Sequence, residues 1–167
     1  MKMNGLYAGS FNPFTNGHLS IVKEASQFFD TLYVCIAVNA DKVQSDSKSI
    51  EEKIMAIDKS IVELGISNVK VIYHSGMIAT LCKKLGVHYL VRGLRNTSDY
   101  LYEENIAKIN GELNPDLRTI YFRSDVEVIS SSLVRELMKY DEDVSKYVPT
   151  PILNMLIEEK ILGGCHK

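Results

Sequence analysis

Thr31-Leu32-Tyr33-Val34-Cys35-Ile36-Ala37-Val38 is a continuous apolar run without the polar alternation of a half-exposed strand, which predicts a strand buried on both faces. Upstream, Met3–Tyr7 reads as a first strand. Between the two, Ile21, Val22, Ala25, Phe28 and Phe29 recur at helical spacing on a helix that starts near Gly17 or His18. Downstream, Ser49 with Glu52 three residues on is a capping-box signature, and Ile54, Ile57, Ile61 and Leu64 supply an apolar stripe before Gly65 stops the helix. Val69–Tyr73 is a third strand, Met77–Leu85 a short helix stopped by Gly86, and Tyr89–Val91 a fourth strand. Ser98–Glu112 is a helix and Leu117–Phe122 a fifth strand. The tail reads as two helices, Ser132–Tyr140 and Pro151–Ile161, with Thr150 as N-cap and Pro151 as first helical residue.

Strands separated by helices need crossover connections, and these favour a parallel sheet covered on both faces. The expected fold is α/β: a doubly wound, Rossmann-like five-stranded parallel sheet with a helical C-terminal tail. Ligands in such sheets bind beyond the carboxyl ends of the strands, which directs attention to the loops after the first, second, fourth and fifth strands. The 167 residues predict a single domain over 1–167, with no repeat or linker, and Gln44–Ser49 reads as a polar loop. A hydrophobic share of 46% against 24% charged residues excludes a disordered or collagen-like chain. The net charge of −2 offers no broad cationic face for a polyanion, so nucleic acid is not an expected partner. No stretch approaches a membrane span, and no apolar run follows a basic head at the N-terminus; a cytoplasmic protein is expected. Cys35, Cys82 and Cys165 are odd in number and widely spaced, which fits a reducing compartment better than a disulfide framework or a zinc site. Cys35 and Cys82 fall on apolar faces and read as core residues, Cys165 as an exposed thiol, and His74, His88 and His166 lack partners at metal-ligand spacing.

The first loop, Gly9-Ser10-Phe11-Asn12-Pro13-Phe14-Thr15-Asn16-Gly17-His18, is neither a Walker loop nor the G-x-G-x-x-G of dinucleotide oxidoreductases. Its parts suit a phosphate. Gly9 permits close backbone approach, Ser10 offers a hydroxyl, Pro13 stiffens the loop, and Gly17 and His18 open a helix whose amides and dipole attract anions. Gly and Pro also shape ordinary turns, and a lone histidine equally caps a solvated helix end. Lys42 follows the second strand. Arg92-Gly93-Leu94-Arg95 ends the fourth strand with two guanidiniums that can grip phosphate by paired hydrogen bonds. Ser130-Ser131-Ser132 then enters a helix, where serines are also common caps. Together they all map to one edge of one sheet, which coincidence explains poorly.

These residues resemble the phosphopantetheine adenylyltransferases, in the nucleotidyltransferase superfamily with a T-x-G-H or H-x-G-H signature. The resemblance rests on Tyr7-Ala8-Gly9-Ser10-Phe11-Asn12-Pro13, Thr15-Asn16-Gly17-His18, Lys42, Arg92-Gly93-Leu94-Arg95, Asp99 with Tyr102-Glu103, and Ile129-Ser130-Ser131-Ser132-Leu133-Val134-Arg135. It implies transfer of an adenylyl group from ATP, with Mg2+, to 4'-phosphopantetheine, giving dephospho-coenzyme A and pyrophosphate in coenzyme A biosynthesis. By the same resemblance Ser10 and Phe11 lie at the ATP and acceptor phosphates, and His18 contacts the ATP phosphates. Lys42 and Arg92 hold the acceptor phosphate. Gly93, Leu94, Arg95, Glu103, Val126, Glu127, Val128, Ile129, Ser130, Ser131 and Ser132 line the nucleotide site, and Ile78 lines the pantetheine arm. His18, Lys42, Arg92 and Ser10 are the catalytic candidates, no protein metal ligand is expected, and relatives imply a homohexamer.

Two positions depart from the family pattern. Ser10 replaces a frequent threonine and keeps its hydroxyl; Asn12 replaces the aspartate of G-[TS]-F-D-P and keeps the capacity for an Asx turn while deleting a negative charge near the phosphates. The acceptor phosphate is anionic near neutral pH, so no general base is needed to create the attacking oxygen. Catalysis should come from in-line alignment and from donors that offset charge on the α-phosphoryl oxygens and the departing pyrophosphate, without a covalent nucleophile. Rival readings are a nucleotidyltransferase for a different phosphorylated acceptor and a silent nucleotide-binding module; a redox Rossmann protein lacks its glycine fingerprint.

Overall fold

A computed structural model describes residues 2–38, 47–94, 97–123 and 130–164. Its strands are β1 (Asn4–Gly9), β2 (Thr31–Val38), β3 (Val69–Ser75), β4 (Tyr89–Leu94) and β5 (Arg118–Arg123). The helices are α1 (Asn16–Ala25), α2 (Ser47–Val62), α3 (Ile78–Leu85), α4 (Thr97–Leu113), α5 (Ser131–Lys139) and α6 (Thr150–Gly164). One sheet holds the strands in the order β3-β2-β1-β4-β5, and every pairing is parallel. The expected doubly wound α/β fold is therefore the observed one. After β3 the chain returns past β2 and β1 to pair β4 with the far side of β1, with Leu6 opposite Leu90 and Tyr7 opposite Val91. This reversal opens a crevice between the carboxyl ends of β1 and β4, the place where such sheets bind ligands.

Alternation along the strands divides the core into two layers. Tyr7, Val34, Ile36 and Val91 belong to the layer built with Ile21, Val22, Ile57, Ile61, Val134 and Ile152 of the helices. Leu6, Ala8, Cys35 and Leu90 face the opposite layer with Ala79, Leu81 and Cys82 of α3. β2 contributes to both, as its unbroken apolar run predicts. Gly86 takes a left-handed φ of 64° at the end of α3, a conformation a side chain disfavours, and Val87 N–H then donates to the Cys82 carbonyl at 2.9 Å. Burial pushes the Cys35 thiol up to about 12 and the Cys82 thiol up to about 11.

Several boundaries differ from the sequence reading, each for a local reason. α1 stops at Ala25 instead of running on to Phe29: Phe28 N–H donates to the Ala25 carbonyl in a tighter turn, and Asp30 N–H donates to the Met3 carbonyl at 2.8 Å as the chain enters β2. α2 already begins at Ser47, so Ser49 lies inside its first turn and is not the N-cap; Ser45, Ser47 and Ser49 are all cap-competent residues, and spacing alone does not choose among them. The expected polar loop therefore loses residues 47–49 to the helix, while Gln44–Asp46 lie outside the described residues. β4 continues through Arg92, Gly93 and Leu94, paired with Tyr121, Phe122 and Arg123, because ladder pairing carries polar motif residues along with it. α6 starts at Thr150, since Leu153 N–H already donates to the Pro149 carbonyl. Among the described residues, no helix is long and apolar enough to cross a membrane.

Candidate active site

A cleft of about 310 Å³ opens at the β1–β4 reversal, within the size range of small-ligand sites. Tyr7 to Phe11 line it from the end of β1, Gly17 and His18 from the start of α1, Arg92 and Gly93 from β4, Glu103 from α4 and Ser130 to Ser132 from the start of α5. Five elements thus converge, two of them as helix N-termini whose amides attract anions.

The loop after β1 is shaped by aromatic packing. Phe11 is buried with a positive φ of 44°, which a side chain tolerates only when its surroundings hold it. Its ring packs edge-on against Tyr7 and Phe14, both at 5.3 Å between centroids. Gly9 is required beneath it, because a Cβ there would stand 2.8 Å from the Phe11 ring. The loop is tied down from α5 as well: Ser131 Oγ donates to the Pro13 carbonyl at 2.9 Å, and Arg135 Nη1 donates to the Asn12 carbonyl at 2.5 Å. Asn16 N–H and its side-chain amide donate to the carbonyls of Tyr147 and Lys146.

Thr15 is the N-cap of α1, and His18 completes a capping box with it. Thr15 Oγ1 accepts from His18 N–H at 3.4 Å, and Thr15 N–H donates to His18 Nδ1 at 2.9 Å. The same box that starts the helix therefore fixes the imidazole at the cleft wall.

Arg92 is held from two sides. Its Nε donates to Glu103 Oε2 at 2.6 Å and its Nη2 to Glu103 Oε1 at 2.5 Å, a bidentate fork, while Nη1 donates to the Ala8 carbonyl at 2.9 Å. A guanidinium has five N–H groups, so the remaining two can meet a ligand in the cleft. The family resemblance puts Glu103 on the nucleotide, and its pairing with Arg92 is a finding of the structure. The signal lay in the Arg-Gly-Leu-Arg and Tyr-Glu motifs, but only the fold shows that α4 turns Glu103 back onto β4.

At α5, Ser130 is the N-cap and its Oγ accepts from Leu133 N–H at 3.0 Å, while Ser132 Oγ accepts from Arg135 Nη2 at 3.2 Å. The serine hydroxyls thus build the helix start, and the first-turn amides are the groups such a start offers an anion. Ser10 is exposed and borders both the cleft and a second cavity of about 830 Å³, which Asn12, Ile36, Val38, Lys53 and Arg135 also line. Burial lowers the Lys53 ammonium pKa, against the raising influence of Glu159.

Of the expected site residues, Ser10, Phe11, His18, Arg92, Gly93, Glu103, Ser130, Ser131 and Ser132 come together at the cleft. Leu94 ends β4 beyond the lining, and Ile78 opens α3 against the second core layer, away from it. Lys42, Arg95, Val126, Glu127, Val128 and Ile129 lie outside the described residues, as do Cys165 and His166. Gly9 and Gly17, read from the sequence as parts of a phosphate loop, line the cleft too, whereas Tyr7 and Ile21 line it although strand and helix patterning marks them as core.

The cytidylyltransferase-like family matches residues 6–137. A phosphopantetheine adenylyltransferase of Streptococcus pneumoniae strain CGSP14 is 45% identical over 159 residues, covering 93% of this chain and 96% of the relative. That of strain 70585 is 44% identical over the same lengths. In structure, the nicotinic acid mononucleotide adenylyltransferase of Plasmodium falciparum, complexed with APC, superimposes with a TM-score of 0.66 at 15% identity, covering 96% of both chains, a likeness of fold.

Proposed function

Because the chain belongs to the phosphopantetheine adenylyltransferases, within the cytidylyltransferase-like family, we propose that it transfers the adenylyl group of ATP to 4'-phosphopantetheine and releases pyrophosphate. The product is dephospho-coenzyme A, in coenzyme A biosynthesis. The observation that carries this reading is the convergence of Ser10, His18, Arg92 and two helix N-termini on one cleft at the sheet reversal.

The acceptor phosphate attacks the α-phosphorus directly, and the bond to the β-phosphate oxygen breaks as pyrophosphate leaves. A phosphate monoester with a second pKa near ~6 is already a dianion at neutral pH, so no base has to deprotonate it. The physical difficulty is the mutual repulsion of two anions. Arg92, aimed by Glu103, turns its remaining donors on the acceptor phosphate, with Lys42 as the second cation. His18, Ser10, the Gly17 N–H of α1 and the Ser131 and Ser132 N–H groups of α5 take the ATP phosphates, where pre-placed donors are most effective on charge developing in the transition state. Phe11, Gly93, Glu103 and Ser130 to Ser132 form the nucleotide walls, with Arg95 and Val126 to Ile129 assigned there by the family resemblance alone, while Leu94 and Ile78 stand off this cleft. Magnesium arrives as the ATP complex. Asn12 leaves the loop with one negative charge fewer than the aspartate of the family pattern.

We further propose a cytoplasmic homohexamer. The support is that α4 leaves Leu101, Tyr102, Ile109 and Leu113 exposed, more apolar surface than one helix ordinarily shows to water. The decisive assay is pyrophosphate release with 4'-phosphopantetheine, nicotinamide mononucleotide and glycerol phosphate offered in parallel. Release with 4'-phosphopantetheine alone is expected. Release with another acceptor gives the chain a different substrate, and ATP binding without any release makes it a silent module.

A further inference from the structure

We infer that Thr15 is a positioning residue that holds His18 as the neutral Nε2–H tautomer, so that this imidazole meets phosphate as an uncharged donor. The inference rests on the adenylyl-transfer reading for its purpose, but its geometry does not.

Thr15 N–H lies 2.9 Å from His18 Nδ1, and a backbone N–H can only donate. Nδ1 must therefore present its lone pair, and in a neutral imidazole the proton then sits on Nε2. Thr15 Oγ1 stands 3.1 Å from the same nitrogen and can turn its hydrogen to it, while its lone pair accepts from His18 N–H. Thr15 is wholly buried, so water does not compete for these bonds. A capping box ordinarily uses Glu or Gln at this third helical position, and here an imidazole takes that place.

The ring is also held against rotation. It packs against Phe11 at 5.1 Å, Phe14 at 5.5 Å and Tyr7 at 6.4 Å between centroids. A flipped ring would turn carbon toward the Thr15 donor. Protonation to imidazolium would put a hydrogen on Nδ1 facing the Thr15 N–H, which sets donor against donor. The device disfavours the cation at a cleft wall where Arg92 already supplies positive charge, and it keeps the imidazole proton on Nε2.

Among the described residues, Tyr7, Arg92 and Glu103 are the other titratable groups that line the cleft, and the acceptor phosphate itself titrates near ~6, so a rate profile alone would mix several ionisations. The primary test is therefore nitrogen NMR of the His18 imidazole in the full chain without substrate. Nδ1 unprotonated and Nε2 protonated at neutral pH is the expected pattern; the Nδ1–H tautomer or an imidazolium overturns the inference whether or not the chain turns over. Thr15→Val keeps the backbone donor but removes the hydroxyl, and should raise the His18 titration midpoint, while Thr15→Ser leaves it in place. A midpoint that Thr15→Val does not move removes Thr15 from the positioning role. In turnover, His18→Gln, a neutral donor of similar reach, should exceed His18→Lys. A lysine variant equal to or better than glutamine would mean that charge is what the site uses.

Discussion

Glu103→Ala separates a carboxylate that aims Arg92 from one that merely neutralises it. The pair has side-chain exposures of 22% for Arg92 and 11% for Glu103, so it is neither a surface ion pair nor a fully buried one. Removing one partner of a buried pair costs about 3–5 kcal/mol, whereas exposed pairs contribute about 0–1 kcal/mol. The partial exposure and the hydrogen bond Arg92 keeps to the Ala8 carbonyl put Glu103→Ala at about 2 kcal/mol. For a chain of this length that lowers Tm by about 4–8 °C. Two of the three donors with fixed partners are then released, and the guanidinium loses its heading toward the acceptor phosphate. kcat/KM for 4'-phosphopantetheine should fall by roughly tenfold to a hundredfold, as misplacement of a positioning group commonly does. Thermal unfolding and steady-state pyrophosphate release read the two effects. In the Arg92→Ala background Glu103→Ala should add little to the kinetic loss, because a double-mutant cycle shows coupling when one residue acts through the other. An unchanged Tm together with tighter acceptor binding would refute the reasoning: Glu103 would then be damping a cation, not aiming it.

His18→Ala should lower kcat by ~100-fold or more, the usual loss when one pre-placed donor to a transition-state oxygen is removed, and single-turnover kinetics checks it. Ser130→Ala removes the N-cap bond to Leu133 N–H and should cost about 1 kcal/mol in urea unfolding, with the start of α5 fraying first by hydrogen exchange. The raised thiols give a pH dependence with a definite sign: because folding lifts Cys35 to about 12 and Cys82 to about 11 from 9.0, their contribution is complete below about pH 9 and is lost as pH rises toward those values. Native protein at pH 8 should leave both thiols unmodified by an alkylating reagent, and modification should follow unfolding.

The sheet was legible because burial on both faces writes itself as unbroken apolar runs, and β2 is the clearest instance. Helix starts are less so where several cap-competent residues crowd together, as at Ser47 and Ser49, and the end of α1 is masked because Phe28 and Phe29 continue its spacing after the chain has turned toward β2. At the site, residue types named the anion chemistry, and the sheet reversal brought Ser10, His18, Arg92 and the serines to one cleft. What stayed hidden were the pairings made across the fold. Neither the fork from Glu103 to Arg92 nor the ties from Ser131 and Arg135 to the Asn12–Pro13 loop can be found by spacing, since their partners meet only once α4 and α5 are packed. The bond from Thr15 to His18 is local and was within reach, because a histidine three residues after a threonine occupies the capping-box position.

Direct attack of one phosphate on another is the claim on which the account turns, and the stereochemical course at the α-phosphorus tests it without reference to any single residue. With ATP carrying sulfur at one configuration on that phosphorus, one in-line displacement must give dephospho-coenzyme A of inverted configuration. Retention would require two displacements, and with them a covalent adenylyl-enzyme that the account excludes.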